Sequence, residues 1–337
     1  MSQTYRAVSL IQPGDVSNFR IVELPLAEPP AGHVRVRIHA ASVNPVDYKL
    51  RRAPSAWAPE APTVLGCDFA GVVEAVGPGV EAFRIGDAVY GCAGGLKGTH
   101  GGGYAEAIIA DARLIAPKPA TLSMAEAAAL PLVGITTWEG LVDRARVQPG
   151  ERVLVHGGAG GVGHVAIQLA KAQGAHVTAT VSSPEKAEIA HRFGADETVD
   201  YRRETPADYS ARLTGGAGWD VVYDSLGNEN LPASFAAAAL NGRVVSIVTA
   251  VPVDLAPMHA KGLSLHAVVM PIPMLYGAGR EHHGLILRRL GTLVETGRLR
   301  PLLDPETFTL ESVGAAHAKL EGGRAIGKVV VRVLPDA

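Results

Sequence analysis

The sequence has little cysteine, few aromatic residues and no excess of charge of either sign. Two cysteines among 337 residues cannot form a disulfide framework, and 31 basic against 33 acidic residues leave a formal net charge of −2. No block of like charges occurs, so neither a nucleic acid nor an anionic membrane surface is indicated as a partner. No apolar run is long enough to span a bilayer, and the first residues lack the pattern of a signal peptide. These absences favour a cytoplasmic protein that acts on a small neutral or anionic molecule.

The length predicts two domains, because a single hydrophobic core rarely extends beyond about 300 residues. Up to residue 121 the sequence consists of short apolar runs that end at proline or glycine, a pattern typical of strands and turns. In the clearest strand, 33–40, apolar residues alternate with polar ones that include His39, which predicts one core face and one exposed face. Residues 42–49 then predict a short helix. We expect a small barrel-like β domain with a flexible loop at 91–103, where seven glycines occur.

The second half alternates between predicted strands and predicted helices. A capping box of Ser123 and Glu126 begins a helix at the domain junction. Between residues 152 and 269 the alternation predicts an α/β fold, a doubly wound parallel sheet of five to six strands. Within it we expect a helix over 231–240 and a strand over 243–248.

After residue 270 the alternation stops. A proline-rich loop at 270–274 is followed by a predicted helix at 285–296 and a last strand at 328–333, which we assign to the β domain. The predicted domains are therefore 1–124 with 271–337, and 125–270.

A glycine-rich turn follows the first strand of the α/β domain. Residues 152–163 read RVLVHGGAGGVG, in which Gly158, Gly160 and Gly163 fit the pattern G-x-G-x-x-G. The first glycine of that pattern permits a sharp turn, the second lets the backbone approach a pyrophosphate, and the third lets the helix pack on the strand. A plain structural turn is the alternative, but apolar residues at helical spacing follow and favour a dinucleotide site. The residues assigned to this site are Gly158, Ala159, Gly160, Gly161, Val162 and Gly163.

The end of the next strand lacks an acidic residue. Proteins that prefer NAD usually have one there, where it accepts a hydrogen bond from the ribose 2′-OH. This sequence has Ser182 and Ser183, followed by Lys186, and hydroxyls with an ammonium suit a 2′-phosphate. Ser183 also fits the N-cap of a helix, Lys186 an ordinary surface position, and Glu185 opposes a phosphate. The pattern favours NADPH as the cofactor.

Four motifs in order carry a family resemblance: ASVNPVD at 41–47, LGCDFAGVV at 65–73, ALP with TTW at 129–138, and the glycine turn. They resemble the medium-chain dehydrogenase/reductase superfamily and, within it, the zinc-independent quinone oxidoreductase (zeta-crystallin-like) group. The resemblance covers nearly the whole chain. It implies a GroES-like β-barrel catalytic domain, a Rossmann NADP-binding domain, and an active site in the cleft between them.

The zinc ligands of other members are missing. The resemblance places Asn44, Cys67 and Val133 where zinc alcohol dehydrogenases have Cys, His and Cys. One thiolate makes no site, because a catalytic zinc needs about three protein ligands. The family's structural zinc loop needs four cysteines, and the matching segment has only Cys92. We therefore predict no metal. Without zinc to polarise an oxygen, the substrate must already be electrophilic, as quinones and α,β-unsaturated ketones are.

The resemblance also implies roles around the nicotinamide. Asn44 is expected to contact the nicotinamide end of the cofactor, and Tyr48 or Lys49 to donate a proton or hydrogen bond to the product oxygen. The best-known pattern has a tyrosine five residues after that asparagine, where this sequence has Lys49, so the proton donor stays open and both residues also fit a helix surface. Thr137 is expected to line the nicotinamide pocket, or to pack inside a buried helix. Other positions that match cofactor contacts of the family are Tyr201, Ile247, Thr249 and Arg324.

Together these features predict an NADPH-dependent oxidoreductase, independent of zinc, that transfers hydride to a quinone or an α,β-unsaturated carbonyl compound. The alternatives are an enoyl-thioester reductase and an NADPH-binding protein with little turnover. Loops at 51–62 and 270–280 are expected to line the substrate pocket. An apolar strand at 263–270, at the sheet edge, is expected to pair with its copy in a homodimer.

Overall fold

The computed structural model describes residues 3–335 and divides the chain into two compact units. One unit runs to Leu132 and resumes at Pro271, and the other is Val133–Met270. The sequence placed the first boundary after residue 124 instead. Residues 125–132 stay with the first unit because the helix that begins at the Ser123–Glu126 capping box packs on its strands. Within residues 3–335 no helix is both long and apolar enough to cross a membrane.

The regular elements are numbered in chain order. The strands are β1 (Thr4–Leu10), β2 (Phe19–Pro25), β3 (His33–Val43), β4 (Thr63–Val64), β5 (Asp68–Val76), β6 (Ala88–Cys92), β7 (Ala107–Asp111), β8 (Ile115–Pro117), β9 (Arg152–His156), β10 (His176–Val181), β11 (Glu197–Asp200), β12 (Trp219–Asp224), β13 (Ala238–Ser246), β14 (Ser264–Ala267), β15 (Leu303–Thr309) and β16 (Lys328–Arg332). The α-helices are α1 (Pro45–Arg52), α2 (Met124–Ala128), α3 (Pro131–Trp138), α4 (Gly163–Ala172), α5 (Pro184–Arg192), α6 (Pro206–Thr214), α7 (Leu231–Ala237), α8 (Ala256–Ala260), α9 (Ile272–Tyr276), α10 (Arg280–Glu295) and α11 (Val313–Glu321).

The first unit is built mainly from antiparallel strands, in sheets of order β2-β1-β4 and β15-β16-β3-β5-β6-β8, with β7 also paired to β3. The apolar residues Val34, Val36 and Ile38 of β3 are fully buried, as the alternation predicted. His39 was expected on the exposed face, but it is buried. The reason is that the chain end covers it, because the His39 ring donates a hydrogen bond of 2.7 Å to the carbonyl of Pro335.

Six parallel strands form the sheet of the second unit, in the order β11-β10-β9-β12-β13-β14. This confirms the predicted doubly wound sheet. The helix predicted over 231–240 ends at Ala237, and β13 begins at Ala238 rather than at 243. The strand starts early because Ala238 already pairs with Trp219 of β12, in the buried core that α7 contributes to through Phe235.

Two predicted loops of the first unit are more ordered than expected. Residues 93–96 of the glycine-rich segment are buried, and a Cβ at Gly102 would lie 2.3 Å from the carbonyl oxygen of Leu65, so close packing requires glycine there. The proline-rich segment predicted as a loop forms the short helix α9. Proline is compatible with a first helical turn, and Gly277 ends the helix in a left-handed conformation with φ of 75°.

Candidate functional site

The glycine turn joins β9 to α4 at the carboxyl end of the parallel sheet. Gly157 has φ of 72°, so the sharp turn occurs there and not at Gly158 as the pattern suggested. The N–H of Gly157 donates to the hydroxyl of Thr180 (3.1 Å), and that of Gly158 donates to the Thr180 carbonyl (3.0 Å). Both bonds attach the turn to the last part of β10.

Gly158 and Gly163 are required by close packing. A Cβ at Gly158 would lie 2.7 Å from Cβ of Ala179, and one at Gly163 would lie 2.1 Å from the carbonyl oxygen of Gly157. The third glycine of the pattern therefore allows the helix to meet the turn itself, rather than the strand. Gly160 is less crowded, because its Cβ would have only that same oxygen at 3.1 Å. Space beside Gly160 suits a close approach of another group to the backbone.

The start of α4 offers hydrogen-bond donors to an anion. Within residues 3–335 the N–H groups of Gly161 and Val162 have no hydrogen-bond acceptor. These two residues directly precede α4, a helix of ten residues whose N-terminal dipole favours negative charge. His164 steadies this turn, because its fully buried ring donates to the Gly160 carbonyl at 2.9 Å. Sequence reasoning missed His164, since a lone histidine at a helix start carries no clear signal.

Ser182 and Lys186 meet just beyond the end of β10. The ammonium of Lys186 donates to the Ser182 hydroxyl at 3.2 Å. The hydroxyl of Ser183 accepts from the N–H of Lys186 (3.3 Å), so Ser183 is the N-cap of α5, as the alternative interpretation held. Glu185 is exposed on the first turn of that helix. Tyr201 follows the neighbouring strand β11 and is half exposed, with its N–H bonded to the Val181 carbonyl.

Two further residues predicted to contact the cofactor follow β13, at the carboxyl end of the parallel sheet. The N–H of Ile247 donates to the Asp224 carbonyl (3.3 Å), and Thr249 is exposed two residues later. Asp224, which ends β12 and which the sequence did not single out, is a buried carboxylate with four donors: the N–H groups of Leu226 and Gly227, the Asn230 amide and the Ser234 hydroxyl, all at 2.8–3.0 Å. It fixes the loop after β12. The adjacent Ser225 donates its hydroxyl to the His156 carbonyl at 2.6 Å, directly before the glycine turn.

Thr137 lies on α3 and is fully buried. Its hydroxyl donates to the Val133 carbonyl at 2.7 Å and lies beside the phenol of Tyr223, whose pKa burial raises. Packing inside the second unit thus accounts for this residue, and its contact with a nicotinamide stays a prediction. Arg324 belongs to the first unit and is exposed, so its predicted contact with a cofactor phosphate also stays a prediction.

In the first unit, Asn44 is part of a buried polar cluster. Its side-chain Nδ2 donates to Oδ2 of Asp68 at 2.8 Å, and its Oδ1 accepts from the ammonium of Lys328. The ammonium also lies 3.4 Å from Oδ2 of Asp68, and the Ser42 hydroxyl donates to that oxygen at 3.0 Å. Asn44, Asp68 and Ser42 are fully buried, and Lys328 is 3% exposed. Both ends of the Asn44 amide are therefore held by charged groups.

Sequence reasoning missed Lys328 and treated Asp68 only as part of a motif. Lys328 is the first residue of β16, 284 positions from Asn44, and the antiparallel pairing of β16 with β3 brings the two together. The other oxygen of Asp68 accepts the N–H of Leu132 at 2.9 Å, so the carboxylate also caps the start of α3. A lysine directly before the three valines of a predicted strand is the one signal in the sequence that could have indicated this cluster.

The two proposed proton donors differ in their surroundings on α1. Lys49 is exposed, and its side chain makes no hydrogen bond or ion pair within the described part of the chain. Tyr48 is partly buried, and desolvation and the nearby Glu321 raise its pKa. Glu321 in turn pairs with Arg51, whose side chain is nearly buried. Tyr48 is thus close to the charged groups of α11, whereas Lys49 is available to a ligand.

Asp47, next to this cluster, is a buried carboxyl. One of its oxygens accepts the N–H of Asn44 at 2.7 Å, while the other has no hydrogen bond in the described structure. Burial raises the pKa of Asp47 to about 6, the hydrogen bond from Asn44 opposes this, and Asp68 raises it further. The pKa of the buried Tyr104 phenol is also raised by desolvation and by Asp47, and its hydroxyl lies 3.1 Å from Nε2 of His317.

The two cysteines of the first unit are free, buried thiols. The hydrogen bond between Cys67 and Cys92, together with burial, raises the pKa of Cys67 well above its usual value. Among residues 3–335 no group of three or more His, Cys, Asp or Glu side chains could hold a metal ion. Independence of zinc stays a prediction.

Comparison with known proteins identifies the family. Residues 30–120 match the alcohol dehydrogenase GroES-like domain, and residues 193–331 match a family described as zinc-binding dehydrogenase. A quinone oxidoreductase of Pseudomonas aeruginosa is 37% identical over 312 residues, which cover 90% of this chain and 92% of that protein. A 2-methylene-furan-3-one reductase of Solanum lycopersicum is 37% identical over 310 residues, covering 90% of this chain and 72% of that protein. The chain therefore belongs to the quinone oxidoreductase family of the medium-chain dehydrogenase/reductase superfamily, as the motifs predicted.

Solved structures support the same assignment. An alcohol dehydrogenase superfamily protein from Novosphingobium aromaticivorans is 44% identical, with a TM-score of 0.91 over 98% of this chain and 100% of that one. A mycobacterial protein solved in complex with NADPH is 30% identical, with a TM-score of 0.86 over 97% of this chain and 99% of that one. The predicted GroES-like and Rossmann architecture is confirmed, and the protein is an oxidoreductase of a family that binds nicotinamide dinucleotides.

Proposed function

We propose that this protein is an NADPH-dependent reductase of quinones or α,β-unsaturated carbonyl compounds and that it works without a metal. The observation that carries the choice of NADPH is the contact of Lys186 with Ser182 at the end of β10, where NAD-preferring proteins have an acidic residue. When bound, NADPH supplies a hydride, and the acceptor takes up that hydride and one proton.

The residues around the glycine turn fit a pyrophosphate. Gly161 and Val162 have N–H groups available to donate hydrogen bonds to an anion, and the space beside Gly160 permits its close approach. Lys186 and the Ser182 hydroxyl would hold the 2′-phosphate, and the half-exposed Tyr201 lies beside them at the end of β11.

The acceptor class follows from the missing zinc ligands and from the relatives. An acceptor that no metal polarises must itself spread the negative charge that hydride brings, as an enolate or a phenolate does. The two relatives named above are a quinone oxidoreductase and a reductase of a conjugated furanone, which agrees with this chemistry. Lys49 is the better candidate for the proton donor, because it is exposed and unengaged whereas Tyr48 has a raised pKa.

Absorbance of the reduced nicotinamide tests the proposal. We expect the purified protein to oxidise NADPH when 1,4-benzoquinone or a simple enone is added, faster than with a crotonyl thioester. A preference for the thioester would favour the enoyl-thioester reductase, and no oxidation with any acceptor would favour a binding protein. Elemental analysis of the same sample should find no stoichiometric zinc; its presence would contradict catalysis without a metal.

We also propose a homodimer formed by pairing of β14. This strand ends the order of the parallel sheet and has β13 on one side only. An unpaired strand edge offers backbone donors and acceptors to a second copy. Light scattering on the eluting protein measures the mass, and a monomer at micromolar concentration would contradict this proposal.

A further inference from the structure

Asp111, the last residue of β7, anchors two arginines of the first unit. Its carboxylate is 4% exposed, and Oδ2 accepts from Arg113 and from Arg280, in both cases at 2.8 Å. Arg113 is half exposed, whereas the side chain of Arg280 is 12% exposed. The two cations share one anion but have different further contacts.

Arg280 alone holds neighbouring backbone segments together. Its Nε donates to the Pro273 carbonyl at 3.1 Å and its Nη2 to the Met274 carbonyl at 3.0 Å, which caps the end of α9. The same Nη2 donates to the Gly98 carbonyl at 3.2 Å. One guanidinium thus joins β7, α9 and the glycine-rich segment, with a geometry that a planar five-donor group can satisfy.

This connection continues to the loop after α1. The N–H of Lys97, next to Gly98, donates to the Trp57 carbonyl at 2.9 Å. Two of the joined segments, the loop after α1 and α9, expose large apolar side chains: Trp57 is 37% exposed, Ile272 is 45% exposed and Tyr276 is 74% exposed. We call these three side chains the apolar rim. They belong to the two loops that the sequence predicted to line the substrate pocket, at 51–62 and 270–280.

We propose that Arg280 is a positioning residue for acceptor specificity, because it fixes the backbone that presents the apolar rim to large aromatic acceptors. The inference rests on the proposed function, since the occupant of the rim is the flat, apolar acceptor of that reaction. Aromatic side chains contribute to binding such a molecule by offset stacking and by burial of its faces. A small acceptor gains little from the rim, and NADPH gains nothing.

The experiment compares Arg280→Gln with Arg113→Gln, two variants that each remove one cation from Asp111. The acceptors are 9,10-phenanthrenequinone and 1,4-benzoquinone, and steady-state kinetics give KM and kcat for each. For Arg280→Gln we expect KM for phenanthrenequinone to rise about fivefold or more. KM for benzoquinone and the dissociation constant of NADPH should each change less than about twofold. Arg113→Gln should leave all these values near those of the unmodified protein. Amide hydrogen exchange of the intact protein should show faster exchange at Lys97 in Arg280→Gln only.

Trp57→Ala and Tyr276→Ala provide a second test, because exposed side chains can be removed without unfolding the protein. Both should raise KM for phenanthrenequinone more than KM for benzoquinone. If the ratio of KM for phenanthrenequinone to KM for benzoquinone is unaltered in Arg280→Gln and in the alanine variants, this inference alone is overturned. Unchanged exchange at Lys97 would overturn the role of Arg280 as the connecting group. If the unmodified protein oxidises NADPH with an enone but with neither quinone, this inference fails alone. If it oxidises NADPH with no quinone and no enone, the proposed function fails and this inference fails with it.

Discussion

Lys328 donates a hydrogen bond from its buried ammonium to the side-chain oxygen of Asn44, while the amide nitrogen of Asn44 donates to Asp68. The ammonium and the carboxylate thus determine the orientation of the Asn44 amide, whose oxygen faces Lys328 and whose nitrogen faces Asp68. Asp68 also accepts the N–H of Leu132, in the first turn of α3. A single buried ion pair therefore joins the starts of α1 and α3 with β3, β5 and β16.

Removal of the cation should leave Asp68 as an unpaired buried charge. We expect Lys328→Met to lower the free energy of unfolding by about 3–5 kcal/mol, measured by urea denaturation. The double variant Lys328→Met with Asp68→Asn removes both charges and should recover most of this loss. Equal stability of the single variant and the unmodified protein would contradict a buried ion pair.

Asp47 should make stability depend on pH. Its pKa is raised from 3.8 to about 6 by burial, so its contribution to stability is complete below pH 3.8 and is lost as pH rises through about 6. Asp47→Asn cannot ionise, and its side-chain oxygen still accepts the N–H of Asn44. Relative to the unmodified protein, the variant should gain about 2–3 kcal/mol of unfolding free energy between pH 4 and pH 7.5.

Groups with lowered pKa values act in the opposite direction. Burial lowers the pKa of His317 to about 3, so its contribution is present above pH 6.5 and is lost as pH falls through about 3. The loss of stability from His317 occurs equally in Asp47→Asn and in the unmodified protein, so it cancels in the difference between them. A difference that stays constant from pH 4 to pH 7.5 would show that Asp47 does not titrate near 6.

Two glycines of the turn should separate folding from cofactor binding. A Cβ at Gly163 would lie 2.1 Å from the Gly157 carbonyl, so Gly163→Ala should cost about 1–3 kcal/mol of stability through overpacking. A Cβ at Gly160 would lie 3.1 Å from the same oxygen, a tight contact that a small shift relieves, so Gly160→Ala should cost less stability than Gly163→Ala while it weakens NADPH binding by obstructing the pyrophosphate. Urea denaturation and nicotinamide fluorescence measure the two effects. Equal loss of stability in both variants would contradict this assignment.

Reversal of the charge at Lys186 should weaken NADPH selectively. A charge-assisted hydrogen bond is worth about 1.5–3 kcal/mol, so Lys186→Glu should raise the NADPH dissociation constant about tenfold or more and affect NADH little. Arg152→Glu is the matched control, because it makes the same change of charge at the first residue of β9, at the end of that strand away from the glycine turn. Equal weakening of NADPH and NADH by Lys186→Glu would exclude this residue as the 2′-phosphate contact.

Local patterns in the sequence were sufficient for much of the fold. The alternation on β3, the capping box at Ser123 and the succession of strands and helices after residue 152 all depend on neighbours within a few positions, and the structure retains them. Boundaries failed where distant pairing decided them. Ala238 reads as the end of a helix, but its pairing with Trp219 makes it the start of a strand.

The two-unit architecture of the family and a glycine turn that suits a dinucleotide could be predicted from residue types at fixed spacing along the chain. The contacts of the buried charged groups could not be predicted in this way: Lys328 contacts Asn44 across 284 positions, and Arg280 contacts Asp111 across 169. Such pairs have no periodicity along the chain. A buried lysine or arginine is stable only beside an anion or carbonyl groups, and strand pairing and helix packing determine which of them come within reach.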